Sequence, residues 1–239
     1  MEEKLLTITE AAEKLGVSID TLRRWDENGK LIAIRKEGGV HRFYREKDLE
    51  MFSSDLIRLA HDWAKDGSDL VPTYYCSNSA VFQARLTKLE TLLMQKPGLE
   101  KLFSIIVAIV GEIGNNSFDH NLGKWPDVPG IFFGFDINKR QIVLADRGLG
   151  ILETLRQVRP GLQNHIEALD VAFNEIISGR SPEKRGNGLK FVHNVTIANP
   201  INLFFQSGDA EVRVKAPNRD FRLTRGQEIL RGCFASIEF

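Results

Sequence analysis

The first 50 residues are punctuated in a way that leaves few folds open. Ile8-Thr9-Glu10-Ala11-Ala12-Glu13-Lys14-Leu15 reads as a short helix with Thr9 as its expected N-cap, and Gly16 ends it. Val17-Ser18 is a tight turn. Asp20 is the expected cap of a second helix, Thr21 to Asn28, closed by Gly29. Leu22 and Trp25 stand three apart and so share an inward face, which leaves Arg23 and Arg24 on or near the outer side. Leu31-Ile32-Ala33-Ile34-Arg35 and Val40-His41-Arg42-Phe43-Tyr44, joined through Lys36-Glu37-Gly38-Gly39, read as a β-hairpin with a Gly-Gly tip. Helix, turn, helix and hairpin in so short a span predict a self-contained unit over 1–52.

Charge adds a direction to that unit. The whole chain of 239 residues holds 32 Lys/Arg and 32 Asp/Glu, so it is not a generally basic, nucleic-acid-coating protein. Within it, residues 23–47 hold eight basic and four acidic groups, a local net of +4 on the second helix and the hairpin. Ile8-Thr9-Glu10-Ala11-Ala12, Leu15-Gly16-Val17-Ser18, Thr21-Leu22-Arg23-Arg24-Trp25 and Gly39-Val40-His41-Arg42-Phe43-Tyr44 together resemble the MerR-type winged helix-turn-helix, including its excisionase-like variants. That resemblance implies a second helix in the major groove of double-stranded DNA and a wing against the backbone. The candidate contacts are Thr21, Arg23, Arg24, Arg35, Lys36, Arg42 and Tyr44, most of them to phosphate, with one or two arginines on guanine edges. Trp25 and Phe43 are read as core. MerR-type proteins usually dimerise on a palindrome, so a homodimer is the expected state.

The rest of the chain reads as α+β. Residues 53–98 form a helical connector: Phe52, Leu56, Leu59 and Trp63 recur at helical spacing, and a second helix runs from about Ser79 to Gln95. Residues 99–239 begin with a long helix, about Leu99 to Asn121. A hairpin follows, Ile131–Ile137 and Arg140–Ala145. A helical insert covers about Gln163 to Ser178, a Gly-rich turn at Gly186–Gly188 opens another helix, and three strands close the chain at Ile201–Gln206, Glu211–Lys215 and Phe234–Phe239. Cys76 and Cys233 lie far apart with no Cys or His at metal spacing, so neither a disulfide framework nor a zinc site is expected. The longest apolar run, Leu102–Val110, falls far short of the ~20 residues of a spanning helix. With an acidic start and no apolar export segment, a cytoplasmic protein is expected.

Three short patterns in the last 140 residues carry chemistry. Glu112, Asn116 and His120 are four apart on one helix and project from one side. They are either a polar final turn or a cluster of ligands; Asn115-Asn116 is poor helix sequence, which favours some role besides folding. Asp146-Arg147-Gly148-Leu149-Gly150 follows an apolar strand, where a carboxylate can accept from an exocyclic amine and glycines let a flat ring approach the backbone. Gly186-Asn187-Gly188-Leu189 feeds a helix and presents amide donors to an anion. Lys184 and Arg185 stand just upstream, as phosphate neutralisers or as a solvated basic loop.

In that order these patterns resemble the GHKL superfamily, which includes gyrase-type topoisomerases, MutL, sensor histidine kinases and anti-sigma-factor kinases. The resemblance implies a Bergerat fold over 99–239, a mixed sheet with helices on one face, holding ATP under a lid at 152–185. Carried over by position, Asn116 matches the Mg²⁺ ligand, and Glu112 the carboxylate that activates water. Asp146 matches the adenine-amine acceptor, with Gly148 and Gly150 against the base. Gly186, Gly188 and Leu189 match the phosphate turn, and His120 a phosphate-supporting position. Lys190 stands where kinases often have another glycine. His61 is the one phosphoacceptor candidate, but its surroundings do not form a two-helix dimerisation unit. The domain that donates a lysine to the γ-phosphate in gyrase and MutL is not expected here, so turnover would be slow or partner-dependent. The expected function is a DNA-binding regulator whose ATP-bound state modulates DNA or partner binding. The alternatives are a Ser/Thr protein kinase of anti-sigma-factor type or a slow ATPase, in a toxin–antitoxin or phage-defence setting with a protein partner encoded nearby.

Overall fold

The computed structural model describes residues 4–35, 39–67, 72–175, 188–216 and 220–239. It is an α+β protein built on two antiparallel sheets. A short strand, β1 (Leu5–Thr7), precedes helices α1 (Ile8–Leu15) and α2 (Ile19–Glu27). The cap of α1 is Thr7 rather than Thr9: its hydroxyl accepts from the Glu10 amide while Glu10 reaches back to the Thr7 amide, a closed capping box. The cap of α2 is Ser18 rather than Asp20, with its Oγ accepting from the Thr21 amide at 3.0 Å. Asp20 is instead ion-paired to Arg23 at 2.8 Å.

The expected hairpin is reduced. Among the described residues Ile34 and Phe43 form a single antiparallel bridge, and the strand β2 (Phe43–Arg45) pairs with β1 instead. The pairing Leu6↔Tyr44 puts both residues into the core beneath the two helices.

Helices α3 (Glu46–Ser54) and α4 (Leu56–Asp66) lead to the edge strand β3 (Tyr75–Cys76) and to α5 (Ser79–Met94). Then come α6 (Phe103–Asn121), the hairpin β4 (Ile131–Asp136) and β5 (Gln141–Asp146), and helices α7 (Gly150–Arg156), α8 (His165–Asn174) and α9 (Gly188–Ala198). Two long strands close the chain, β6 (Asn202–Lys215) and β7 (Asp220–Glu238). The two segments expected at Ile201–Gln206 and Glu211–Lys215 are thus one strand. Its pairing with β7 shifts at Ser207/Gly208 and Gly208/Ala210, which explains the interrupted apolar pattern.

The large sheet has the order β3-β4-β5-β7-β6, and every pairing is antiparallel. The expectation of a mixed sheet is corrected, since every pairing is antiparallel; the helices α6, α8 and α9 of 99–239 do share one face, but the central strands are apolar on both sides and the second face is covered as well. Ile131, Phe133, Ile142, Leu144, Ala235 and Ile237 face α5, α6, α8 and α9. Their neighbours Phe132, Val143, Ala145 and Phe234 point the other way and share one core with Leu22, Trp25, Phe52, Leu59 and Trp63. Alternation with period two delivers two hydrophobic faces, so helices must cover both. Helix α4 and the N-terminal unit cover the second. Among the described residues no helix is long and apolar enough to cross a membrane.

Candidate functional site

Described residues from each of the three C-terminal patterns border one place. A small cavity of about 30 Å³ is lined by Asn116, Ser117, His120 and Asn121 of α6, Asp146 at the end of β5, Gly150, Ile151 and Thr154 of α7, Leu189 of α9, and Cys233 of β7. Stretches more than 100 residues apart in the chain therefore border the same cleft. Lys184, Arg185 and Gly186 lie outside the described residues, as does the DNA-contact candidate Lys36.

Asp146 is the centre of the inner end. It is 1% exposed, accepts from Ser117 Oγ at 2.7 Å and from the Gly148 amide at 2.8 Å. Burial pushes its carboxyl above the usual range, and the bonds from Ser117 and from the Gly148 and Cys233 amides only partly offset this. Burial, together with the negative charge of Asp146, also pushes the Cys233 thiol well up. Buried carboxylates whose proton affinity is perturbed in this direction concentrate at functional sites.

The loop after Asp146 is pinned from both sides. The Asn121 amide bridges it to α6, with Oδ1 accepting from the Leu149 amide and Nδ2 donating to the Ser117 carbonyl. A Cβ at Gly148 would sit 2.1 Å from Asn121, so only glycine fits. Gly150 has φ +74°, and there the Ser207 hydroxyl accepts from the next amide, Ile151, and donates to the Gly232 carbonyl. Gly148 and Gly150 are thus positioned by packing against Asn121 and Ser207. Ser117, Asn121, Ser207 and Gly232 were not singled out from sequence. The signal that could have found them is a glycine interrupting the strand pattern before Cys233 and Phe234: a Cβ at Gly232 would lie 2.2 Å from the Asp146 carbonyl.

The outer end joins α6 to α9. A Cβ on Gly188 would come within 2.6 Å of Glu112 Oε2 and 2.9 Å of Asn116 Nδ2. Glu112 and Asn116 therefore reach the first described residue of α9, where a carboxylate and an amide oxygen stand one helical turn apart. The Asn116 amide oxygen beside a helix start is a hard donor of the kind Mg²⁺ takes along with waters, and the Glu112 carboxylate stands one turn earlier on the same helix. Purine-sized volume is a different matter: a cleft of about 30 Å³ admits a water molecule, so a nucleotide requires the walls to part.

Arg147, between Asp146 and Gly148, turns away from the cleft. It is 6% exposed, and its Nη1 donates to the carbonyls of Trp63 at 2.9 Å and Ala64 at 2.8 Å, near the end of α4. Its Nε and Nη2 bond Asp127, which also takes Arg231 at 2.8 Å. Burial opposes the Asp127 charge, but Arg147, the Val128 amide and Arg231 hold its carboxyl below the usual range.

In the N-terminal unit the expected contact residues divide. Arg23 and Arg24 are exposed on α2, and Thr21 is half-buried with its hydroxyl against Ser18. Arg35 and Arg42 converge on the Asp26 carboxylate at 2.5 and 2.7 Å, which also accepts from the Ala33 amide. Burial alone would raise the Asp26 carboxyl, but the Arg42, Ala33 and Arg35 bonds outweigh it and leave it lowered. These two arginines thus lock the bridge segment to α2, and offer only their remaining N–H groups outward. Tyr44 is corrected: it is 1% exposed and its hydroxyl donates to the Leu22 carbonyl, so it is core and not a DNA contact.

Comparison with known proteins bears on this first unit. Residues 7–44 match the family described as MerR family regulatory protein. They form a MerR-family helix-turn-helix domain, the kind of unit that binds DNA. A curated relative is the Type II methyltransferase M.Eco47II of Escherichia coli, 36% identical over 63 residues, which amount to 26% of this chain and 15% of that enzyme. The chain thus spans well under two thirds of that relative's length.

Proposed function

We propose that the chain is a DNA-binding regulator whose C-terminal half is a GHKL-type domain that binds ATP with Mg²⁺, and that the nucleotide state modulates binding of DNA or of a protein partner by the MerR-like unit. The observation that carries this reading is the convergence of Asp146 with Gly150, Asn116 with His120, and Leu189 on one cleft, although they come from three separate stretches. Asp146 accepts the exocyclic amine of the purine, and Asn121 and Ser207 hold the following loop so that the base meets backbone rather than side chains. Asn116 would hold the metal, and the first amides of α9 would face the phosphates. When bound, Mg²⁺ would supply positive charge to offset that of the phosphates. The 15% coverage of the methyltransferase gives no ground for proposing methyl transfer.

A calorimetric titration of the full chain with a non-hydrolysable ATP analogue, with and without Mg²⁺, tests this. Saturable one-site binding that weakens without the metal, and in Asn116→Ala with the metal, is expected. Absence of binding by the wild-type chain rejects the nucleotide reading and leaves the DNA-binding unit standing. The proximity of Glu112 to Gly188 also favours slow hydrolysis with Glu112 as the base. Glu112→Gln is then expected to keep analogue binding and lose phosphate release.

A further inference from the structure

Besides the shared apolar core, one buried side chain ties the loop of the cleft to the DNA-binding unit. Arg147 belongs to the Asp146–Gly150 loop, yet its guanidinium sits on the last carbonyls of α4 and against Asp127. Helix α4 in turn belongs to the core of the helix-turn-helix unit, through Leu59, Ala60, Trp63 and Ala64 packed with Leu22 and Trp25. A second tie on the same helix is the Lys30–Asp62 pair at 3.8 Å, with the Lys30 ammonium also over the Trp25 ring. Gly67, just past α4, has φ +70°, and a Cβ there would meet the Arg147 guanidinium at 3.3 Å. The chain closes tightly around this group.

We infer that Arg147 is the positioning residue that transmits the state of the cleft to the DNA-binding unit: displacement of the Asp146–Gly150 loop moves the end of α4, and α4 carries that movement to α2. The inference deepens the proposed function and rests on it in one respect, that nucleotide is what displaces the loop. Its physical basis is cleft size and connectivity. A cleft of about 30 Å³ has to widen to admit a base. On one side the loop is held by the Asn121 amide and Ser207, which belong to the cleft itself. On the other side it is held by the buried Arg147, whose bonds to carbonyls and to a carboxylate are charge-assisted and directional. Two packed elements that share such a group do not shift independently.

The test is amide hydrogen exchange on the full chain, with and without the Mg²⁺-loaded non-hydrolysable ATP analogue, in wild type and in Arg147→Gln. Arg147 is not a wall of the cleft, so the variant binds the analogue. In wild type, the analogue is expected to change exchange at 146–150 and also, by at least about threefold, at 60–67 and 22–31. In Arg147→Gln the change at 146–150 persists, and that at 60–67 and 22–31 collapses to under about a third of its wild-type size. A wild-type response confined to 146–150, or undiminished transmission in the variant, overturns the inference. If the analogue changes nothing even at 146–150, the nucleotide reading is what fails. The link is then decided without ligand by Asn121→Ala, which frees the loop from α6. Faster exchange at 60–67 in that variant, abolished in Asn121→Ala/Arg147→Gln, supports the strut. The same rate in both overturns it.

Discussion

Asp146→Asn separates what the cleft needs for binding from what the fold needs for stability. In the wild-type protein the carboxylate is 1% exposed and accepts from Ser117 Oγ at 2.7 Å and the Gly148 amide at 2.8 Å. The substituted side chain keeps one oxygen for the Gly148 and Cys233 amides. Its new NH₂ meets the Ser117 hydroxyl, which can accept because its proton has a second acceptor in the Ile113 carbonyl at 3.3 Å. Few hydrogen bonds are lost, and a buried charge is removed. The sign follows from the raised carboxyl. At acidic pH, below about 3.9, the group is neutral in folded and unfolded chains alike. As pH rises towards and through the folded value, the unfolded chain releases its proton first, and the charge increasingly penalises the fold. Urea unfolding at pH 8 is therefore expected to show the variant as stable as wild type or more so, by about 1 kcal/mol, with the difference shrinking on acidification. Binding goes the other way. A purine amine loses a charged acceptor and meets a donor, at a cost of about 1.5–3 kcal/mol, or roughly ten- to a hundredfold in Kd by calorimetry. Unchanged affinity would refute the assignment of Asp146 to the purine. A variant less stable than wild type at pH 8 would refute the electrostatic reasoning.

Three further outcomes are expected. Asp26→Asn removes the anchor of Arg35 and Arg42 and costs about 1–3 kcal/mol in urea unfolding, and faster amide exchange at 33–44 reports where the loss falls. Because the folded Asp26 carboxyl lies below its usual range, this contribution is present above that range and disappears as pH falls through the folded value, so wild type and variant converge in acid. Tyr44→Phe deletes only the bond to the Leu22 carbonyl and lowers stability by about 1 kcal/mol, while affinity for a duplex selected from a random pool stays constant; Arg24→Ala weakens that binding and lowers its salt slope by about one. Gly188→Ala drives a methyl group onto Glu112 and Asn116 and weakens analogue binding at least severalfold by calorimetry, while unfolding is little changed.

Local chemistry was legible in the sequence where a motif and its partner lie close together. The Gly16 and Gly29 helix ends were read correctly, and both have left-handed φ. The caps were misplaced by two residues because Thr7-x-x-Glu10 and Ser18-x-x-Thr21 compete with equally plausible neighbours at Thr9 and Asp20. Only the backbone path decides between them. Asp146 stood out because it ends an apolar strand and is followed by glycines. Ser207 and Gly232 did not, since their place depends on where β6 and β7 slip register. Arg147 was hidden for a different reason. Its partners at Trp63 and Ala64 are backbone carbonyls some 80 residues earlier, and a carbonyl leaves no mark on the side-chain pattern. Tyr44 was misread because an aromatic beside arginines fits either a core or an interface. The β1–β2 register, which turns it inward, is set by a pairing that the sequence does not display.

The second face of the sheet explains why the two halves form one body. A unit of about 50 residues buries too little apolar surface to be comfortably stable alone. Here Leu22, Trp25, Leu49, Phe52 and Trp63 are completed by Phe132, Val143, Ala145, Leu230 and Phe234 from the sheet. The sheet has the reciprocal need, since those five side chains point away from α5, α6, α8 and α9 and would otherwise face water. Leu230 and Phe234 flank Gly232 and Cys233, the segment that lies against Asp146. The strand that closes the cleft on its inner side therefore also roofs the core of the DNA-binding unit. With a shared core of this kind, densely packed and intolerant of small misfits, the strand that lies against Asp146 and the helices around Trp25 cannot repack independently of one another.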